Sequence, residues 1–275
     1  MSNIIFHIGL HKTGTTYLQR EYFPQLALKY IKASEPYYKV LMGMNIVEQP
    51  VLISEENLSG RLFGGNKLEE CLSTIRSIKE MYPEAKIVVG FRKHSDYILS
   101  SYKQFLHEGN ALKFKDFFNF ENTGVLKQED VVFRSFIEVV QHSFEDVFIY
   151  TLDDLKAMES FHKSFSEFLG LEDASINFES KKVNSGIRTS FQTKLLYRLN
   201  YIDIKFYKMF KFKLLYSKLF KFLNITPRKI CQKYLPDFGK KFMLNPNTVS
   251  EINKKFDQDW NYVLTKKSIQ ANKNT

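Results

Sequence analysis

Residues 9–16 of the 275-residue chain read Gly9-Leu10-His11-Lys12-Thr13-Gly14-Thr15-Thr16, directly after the apolar run Ile4-Ile5-Phe6-His7-Ile8. A strand that runs into a glycine-bracketed loop and then a helix is a device for holding phosphate. Loop amides and the unsatisfied amides of the helix N-terminus converge on the anion, and the helix dipole adds to the attraction. Gly9, Thr13, Gly14 and Thr15 are small enough for close backbone approach, and the Thr15 and Thr16 hydroxyls can donate. The nucleoside-triphosphate loop, G-x-x-x-x-G-K-[ST], puts its lysine directly after the second glycine. Here that place is Thr15 and the lysine is Lys12, which weighs against a kinase or ATPase.

The loop needs a scaffold, and the hydrophobic pattern supplies one. Ile4–Ile8 suits a buried parallel strand, and Thr15 to Phe23 follows as a helix stopped near Pro24. Val51-Leu52-Ile53 is a second strand, introduced by Pro50 and ending in Ser54-Glu55-Glu56-Asn57. Leu68 to Met81 predicts a helix with Leu72, Ile75, Ile78 and Met81 on one face, broken by Pro83. Lys86–Phe91 is the clearest strand; Ser95–His107 and Val131–Val140 follow as helices, and Val147–Tyr150 as a fourth strand. Strands and helices alternating at these lengths imply a parallel sheet covered on both faces. Further on, Phe191 to Leu223 is rich in lysine and aromatics, with Met209, Phe212, Tyr216, Leu219 and Leu223 three and four apart, and predicts a helix with an apolar stripe and a basic back; a last helix runs from Val249 to about Leu264.

His7-Ile8-Gly9-Leu10-His11-Lys12-Thr13-Gly14-Thr15-Thr16 resembles the 5′-phosphosulfate loop of the sulfotransferases that use 3′-phosphoadenosine-5′-phosphosulfate, in their bacterial and carbohydrate-type form. By that resemblance His11, Lys12, Thr13, Gly14, Thr15 and Thr16 hold the nucleotide, and Lys12 also neutralises charge on the leaving group. Arg92, leaving the strand Lys86–Phe91, with Ser100 eight residues on, resembles the family's 3′-phosphate motif; an arginine fork donates two parallel hydrogen bonds to such a group. Ile53-Ser54-Glu55-Glu56-Asn57-Leu58 resembles the strand-end glutamate segment, which makes Glu56 the base that takes the acceptor's proton, with Glu55 a close second. Lys181-Lys182-Val183-Asn184-Ser185 resembles a late segment that closes over the nucleotide, through Lys182, Asn184 and Ser185. The resemblance covers about residues 3–200. It implies an α/β fold, a parallel sheet flanked by helices of the P-loop kinase-like type, with a basic helical C-terminal extension over about 191–275, all in one domain. It also implies transfer of a sulfuryl group to a hydroxyl or amine, without a metal.

Composition narrows the setting. The net charge of +10 is uneven: residues 181–233 carry 14 basic residues against Asp203, about +13, so the rest is slightly acidic. Such a segment attracts anionic partners, which favours an acidic, saccharide or lipid-linked acceptor and is compatible with peripheral membrane contact. No nucleic acid is expected. Cys71 and Cys231 match no metal spacing and read as free thiols in a reducing compartment, and no apolar run is long enough to span a bilayer, so a cytoplasmic protein is expected. Two rivals stay open: a P-loop kinase or ATPase, which would need Asp153 or Asp154 for magnesium, and a non-enzymatic basic module that binds anionic polymers or membranes.

Overall fold

The computed structural model describes residues 4–32, 50–63, 67–171, 176, 189–209, 227–231 and 239–273. They sort into two compact units, one of Met1–Tyr97, Leu126–Val183 and Ile252–Thr275, the other of Ile98–Val125 and Asn184–Glu251.

The first unit is built on five parallel strands: β1 (Ile4–Gly9), β2 (Lys29–Lys32), β3 (Val51–Ser54), β4 (Lys86–Phe91) and β5 (Val147–Thr151), in the order β2-β3-β1-β4-β5. The sheet is α/β and helix-flanked, as the alternation of strands and helices implied. The chain leaves β1 toward one edge and returns to β4 on its other side, so the order reverses between β1 and β4. In open parallel sheets ligands bind outside the strand ends at such a point.

Register sorts the side chains. Ile5, His7 and Gly9 share a face with Leu52, Ser54, Val88, Gly90, Phe148 and Tyr150. That face packs against helix α1 (Thr15–Tyr17) and its continuation, and against a helix Met158–Leu169 whose Phe161, Phe165 and Phe168 are buried on it. The continuation is irregular. Where a single helix was predicted to Phe23, one α turn widens into a π turn, Leu18–Tyr22, and tightens into a 3-10 turn, Phe23–Gln25, with Pro24 near its start. The wide turn lets Leu18, Tyr22, Phe23 and Leu26 all reach the core. Burying each is worth about 1.5–3 kcal/mol, which offsets the poorer hydrogen-bond geometry.

α2 (Lys67–Met81), α3 (His94–His107), a short α4 (Phe114–Phe117), α5 (Arg134–Ser143) and the Met158–Leu169 helix, α6, complete the middle of the chain. β2 and α6 have no counterpart among the elements read from sequence. β2 is the edge segment Lys-Tyr-Ile-Lys, last in the strand order, and lysines of this kind are common on edge strands. α6 ends on Gly170 in the left-handed conformation that closes helices.

The second unit holds α7 (Ser190–Met209), α8 (Pro227–Lys229) and most of α9 (Pro246–Lys255). α7 opens with a capping box: Thr189 Oγ1 accepts from the Gln192 amide at 3.1 Å, and Gln192 Oε1 accepts from the Thr189 amide at 3.2 Å. Asn200 Nδ2 ties the helix to the Leu106 and Asn110 carbonyls. The last helix comes as two, α9 and α10 (Asp257–Lys273), with buried Phe256 at the break. The apolar stripe expected at Phe212, Tyr216, Leu219 and Leu223 lies outside the described residues, as does the Met209 side chain. Among the described residues no helix is long and apolar enough to cross a membrane.

Candidate functional site

The loop after β1 turns sharply. Lys12 and Gly14 have φ of 69° and 92°, and the Gly14 carbonyl accepts from the Tyr17 and Leu18 amides, starting α1. The Thr13 hydroxyl is buried and donates to the Leu10 carbonyl at 2.5 Å, so it staples the loop from inside. Thr15 is buried against the base of the loop, while Thr16 is half-buried.

Two facing glycines make room for this. Gly9 and Gly90 are paired across β1 and β4. A Cβ at Gly9 would lie 2.3 Å from Thr15 Oγ1, and one at Gly90 only 2.2 Å from the Tyr150 ring. The bare stripe lets Tyr150 cross β4 from β5 and reach β1. There its hydroxyl meets His7 Nε2 at 2.9 Å, while His7 Nδ1 meets Ser54 Oγ at 2.7 Å. Gln19 Nε2 donates to the same Ser54 hydroxyl at 3.0 Å. Burial pushes the His7 pKa down to about 3, outweighing the pull of Glu56, so the ring is neutral, with one nitrogen donating and the other accepting. Burial likewise drives the Tyr150 hydroxyl well above its usual range. No contiguous motif encodes this network, whose Ser54 and Tyr150 lie 47 and 143 residues from His7. A glycine inside the apolar strand Lys86–Phe91 was its one sequence signal, since such glycines mark a close approach of another group.

The segment after β3 is stitched to the loop. The Glu55 amide donates to the His7 carbonyl, and Ser59 Oγ donates to the Gly9 carbonyl at 3.2 Å and the Glu56 carbonyl at 2.8 Å. His11 Nε2 donates to the Gly60 carbonyl at 3.0 Å, which turns Nδ1 toward Glu56 Oε2 at 3.5 Å. The two glutamates are thereby separated. Glu55 accepts from the Asn57 amide and caps the 3-10 turn Glu56–Ser59. The Glu56 carboxyl is burdened by burial, but the His11 hydrogen bond and the charges of His11 and Lys12 more than compensate, holding it below its ordinary 4.5.

Arg92 follows β4 and crosses to the loop, donating from Nη1 to the Lys12 carbonyl at 3.3 Å. Its Nε is buried and has no hydrogen-bond partner among the described residues. An unmet donor on a buried guanidinium is costly and marks where an acceptor belongs. Ser100 is half-buried on α3, in the part of that helix assigned to the second unit. The structure thus brings His11, Lys12, Thr13, Gly14, Thr15, Thr16, Glu55, Glu56 and Arg92 to the ends of β1, β3 and β4. Lys182, Asn184 and Ser185 lie outside the described residues.

Asp153 and Asp154 are engaged elsewhere. Asp153 pairs with Lys156, and Asp154 accepts from the Thr151 amide and hydroxyl and pairs with Lys267 of α10. A kinase would have to break these contacts to recruit either for magnesium.

The fold and loop together define a parallel α/β protein with a glycine-bracketed turn at the sheet's switch point. No protein-family model matches the chain, and no curated protein matches it. Among solved structures it is similar to a sulfotransferase from Alicyclobacillus acidocaldarius, with a TM-score of 0.45 and 16% identity over 64% of this chain and 85% of that one.

Proposed function

We propose that the protein is a sulfotransferase that moves a sulfuryl group from 3′-phosphoadenosine-5′-phosphosulfate to a hydroxyl or amine of an acidic, saccharide or lipid-linked acceptor. The observation that carries this reading is the junction of Arg92 with the Gly9–Thr16 loop. The loop offers one anion cradle, and Arg92, anchored on its Lys12 carbonyl with Nε unmet, offers a second donor set beside it. A donor with both a 5′-phosphosulfate and a 3′-phosphate requires two such points. The residues present fit that donor: Lys12, Gly14, Thr15 and Thr16 for the 5′ end, Arg92 and Ser100 for the 3′ end, with His11, Thr13, Lys182, Asn184 and Ser185 completing the nucleotide-binding set.

When bound, the donor supplies a sulfuryl group on a phosphate leaving group. Lys12 and the loop amides offset negative charge that grows on the leaving oxygen, where fixed donors lower a barrier most. Arg92 spends binding energy remote from the reaction to hold the nucleotide in register. Glu56 takes the acceptor's proton, ionised through neutral pH and oriented by His11; Glu55, bound to its capping amide, is the weaker candidate.

Adenosine 3′,5′-bisphosphate is expected to raise the melting temperature without magnesium. Stabilisation by ATP and magnesium alone would sink the reading in favour of a kinase. In a labelled-sulfate assay Lys12→Ala should lower kcat by about 10²–10³-fold; full retained activity removes Lys12 from the mechanism.

A further inference from the structure

The second unit contains a cavity of about 250 Å³ between α3, α4, α7 and the segment just before α9. Its inner wall is aromatic. Tyr102 stands edge-on to Phe114, with ring centroids 5.4 Å apart, and Phe242 packs on Tyr102 at 6.2 Å. The Tyr102 hydroxyl is already satisfied by the Leu112 carbonyl at 2.9 Å, so this side chain presents only its ring. The rim is cationic: Lys113 at the start of α4, and Lys194 and Arg198 one turn apart on α7 with Tyr197 between them. Among the described residues no carboxylate lines the cavity. None of the three cations has an ion-pair partner among the described residues. Two like charges at i,i+4 work against a helix, and here they converge, unneutralised, on one opening. Asp116 is close enough to Tyr102 to act on its hydroxyl but is not part of the wall.

We propose that this cavity binds a single-ring acid: one sugar or aromatic ring bearing a sulfate, phosphate or carboxylate. The rings of Tyr102, Phe114 and Phe242 supply faces and edges for a flat or chair-shaped ring, and Lys113, Lys194 and Arg198 supply charge-assisted hydrogen bonds for its oxyanion. The volume falls below the roughly 300–1,000 Å³ of pockets for larger ligands. It suits one ring and its acid, and is too small for a nucleotide. The site is made of second-unit residues alone and stands whether or not the chain transfers sulfate.

The test is saturation-transfer NMR on the full chain with phenyl sulfate and with glucuronate, each against its uncharged analogue (phenol, glucose) and against inorganic sulfate. At least one ring acid should bind, and its analogue and sulfate about tenfold more weakly. Whichever acid binds more tightly identifies the source of the ring. Lys194 and Arg198 are exposed, so the double variant K194E/R198E should melt like the parent, yet bind the ring acid about tenfold more weakly. It should bind adenosine 3′,5′-bisphosphate unchanged. Tyr197→Ala should weaken the ring acid as well. The proposal is overturned if neither acid binds below roughly 10 mM, if sulfate alone binds as well, if the double variant is indifferent, or if the bisphosphate displaces the acid.

Discussion

His7 and His94 are both sealed from solvent, and each joins elements far apart in sequence, yet they are built on opposite principles. His7 sits in a neutral chain of hydrogen bonds, Gln19 to Ser54 to His7 to Tyr150, spread beneath the loop. His94 donates from Nε2 to Asp259 at 2.8 Å, and the same carboxylate accepts from the Phe133 and Arg134 amides. It is also stacked on Phe256, with 2° between ring planes. Burial opposes the Asp259 charge, but these three hydrogen bonds prevail and hold its pKa below the ordinary 3.8. One histidine therefore lies beneath the Gly9–Thr16 loop, and the other clasps α10 to the starts of α3 and α5. A neutral network can trade partners at little cost, whereas a buried carboxylate that satisfies three donors cannot be removed cheaply.

Removing the clasp should have the largest effect. Asp259→Ala strands the His94 nitrogen and two amides at about 1–3 kcal/mol for each unmet donor, and should be strongly destabilising in urea unfolding. A loss below about 1 kcal/mol would erase the contrast.

The two regions should also fail in different acid windows. The folded pKa of His7 lies below its ordinary 6.5, so its contribution is complete above pH 6.5 and drains as pH falls toward about 3. The slope is about 1.4 kcal/mol per pH unit. Asp259, also depressed, keeps its contribution above pH 3.8 and loses it only below. Stability measured from pH 7 to pH 4 should therefore slope in the parent and flatten in His7→Gln, while Asp259→Asn retains the slope.

Gly90→Ala should come next. Its Cβ would collide with a fully buried Tyr150, and overpacking of this kind costs about 1–3 kcal/mol. If the neutral network positions the loop, bisphosphate binding should weaken as well. The smallest effect is expected from His11→Ala. Without the His11 hydrogen bond and its electrostatic pull the Glu56 carboxyl pKa rises. The acid limb of kcat/KM then moves to higher pH, and an unmoved limb separates Glu56 from catalysis.

The contrast also marks what could be read from the chain. Alternating apolar runs placed β1, β3, β4 and β5 within a residue or two, because buried parallel strands carry their signal locally. The loop was legible for the same reason: its residues are contiguous. Lys29–Lys32 was invisible because an edge strand is paired on one side and reads as polar. The choice between Glu55 and Glu56 stayed open in sequence because it depends on which faces His11, and that is set by the Gly60 carbonyl forty-nine residues away from His11. The His7 network needs three strands brought into register, and no window of neighbouring residues encodes it. Thr189-Ser190-Phe191-Gln192 is a different case: its capping box is a local, four-residue signal that marks where α7 begins.

The clasp has a further consequence during synthesis. His94 and Asp259 are 165 residues apart. At about 5–20 residues per second, the histidine waits roughly 8–33 s on the ribosome before its carboxylate is made. All five strands have been translated by then, but the groove that receives Phe256 and Asp259 is still open, and its aromatic walls at Phe133 and His94 face whatever is nearby. The nascent protein is therefore most vulnerable to aggregation late, after its sheet is complete. A chaperone that shields that groove should raise the yield of folded chains more than one that acts on the strands.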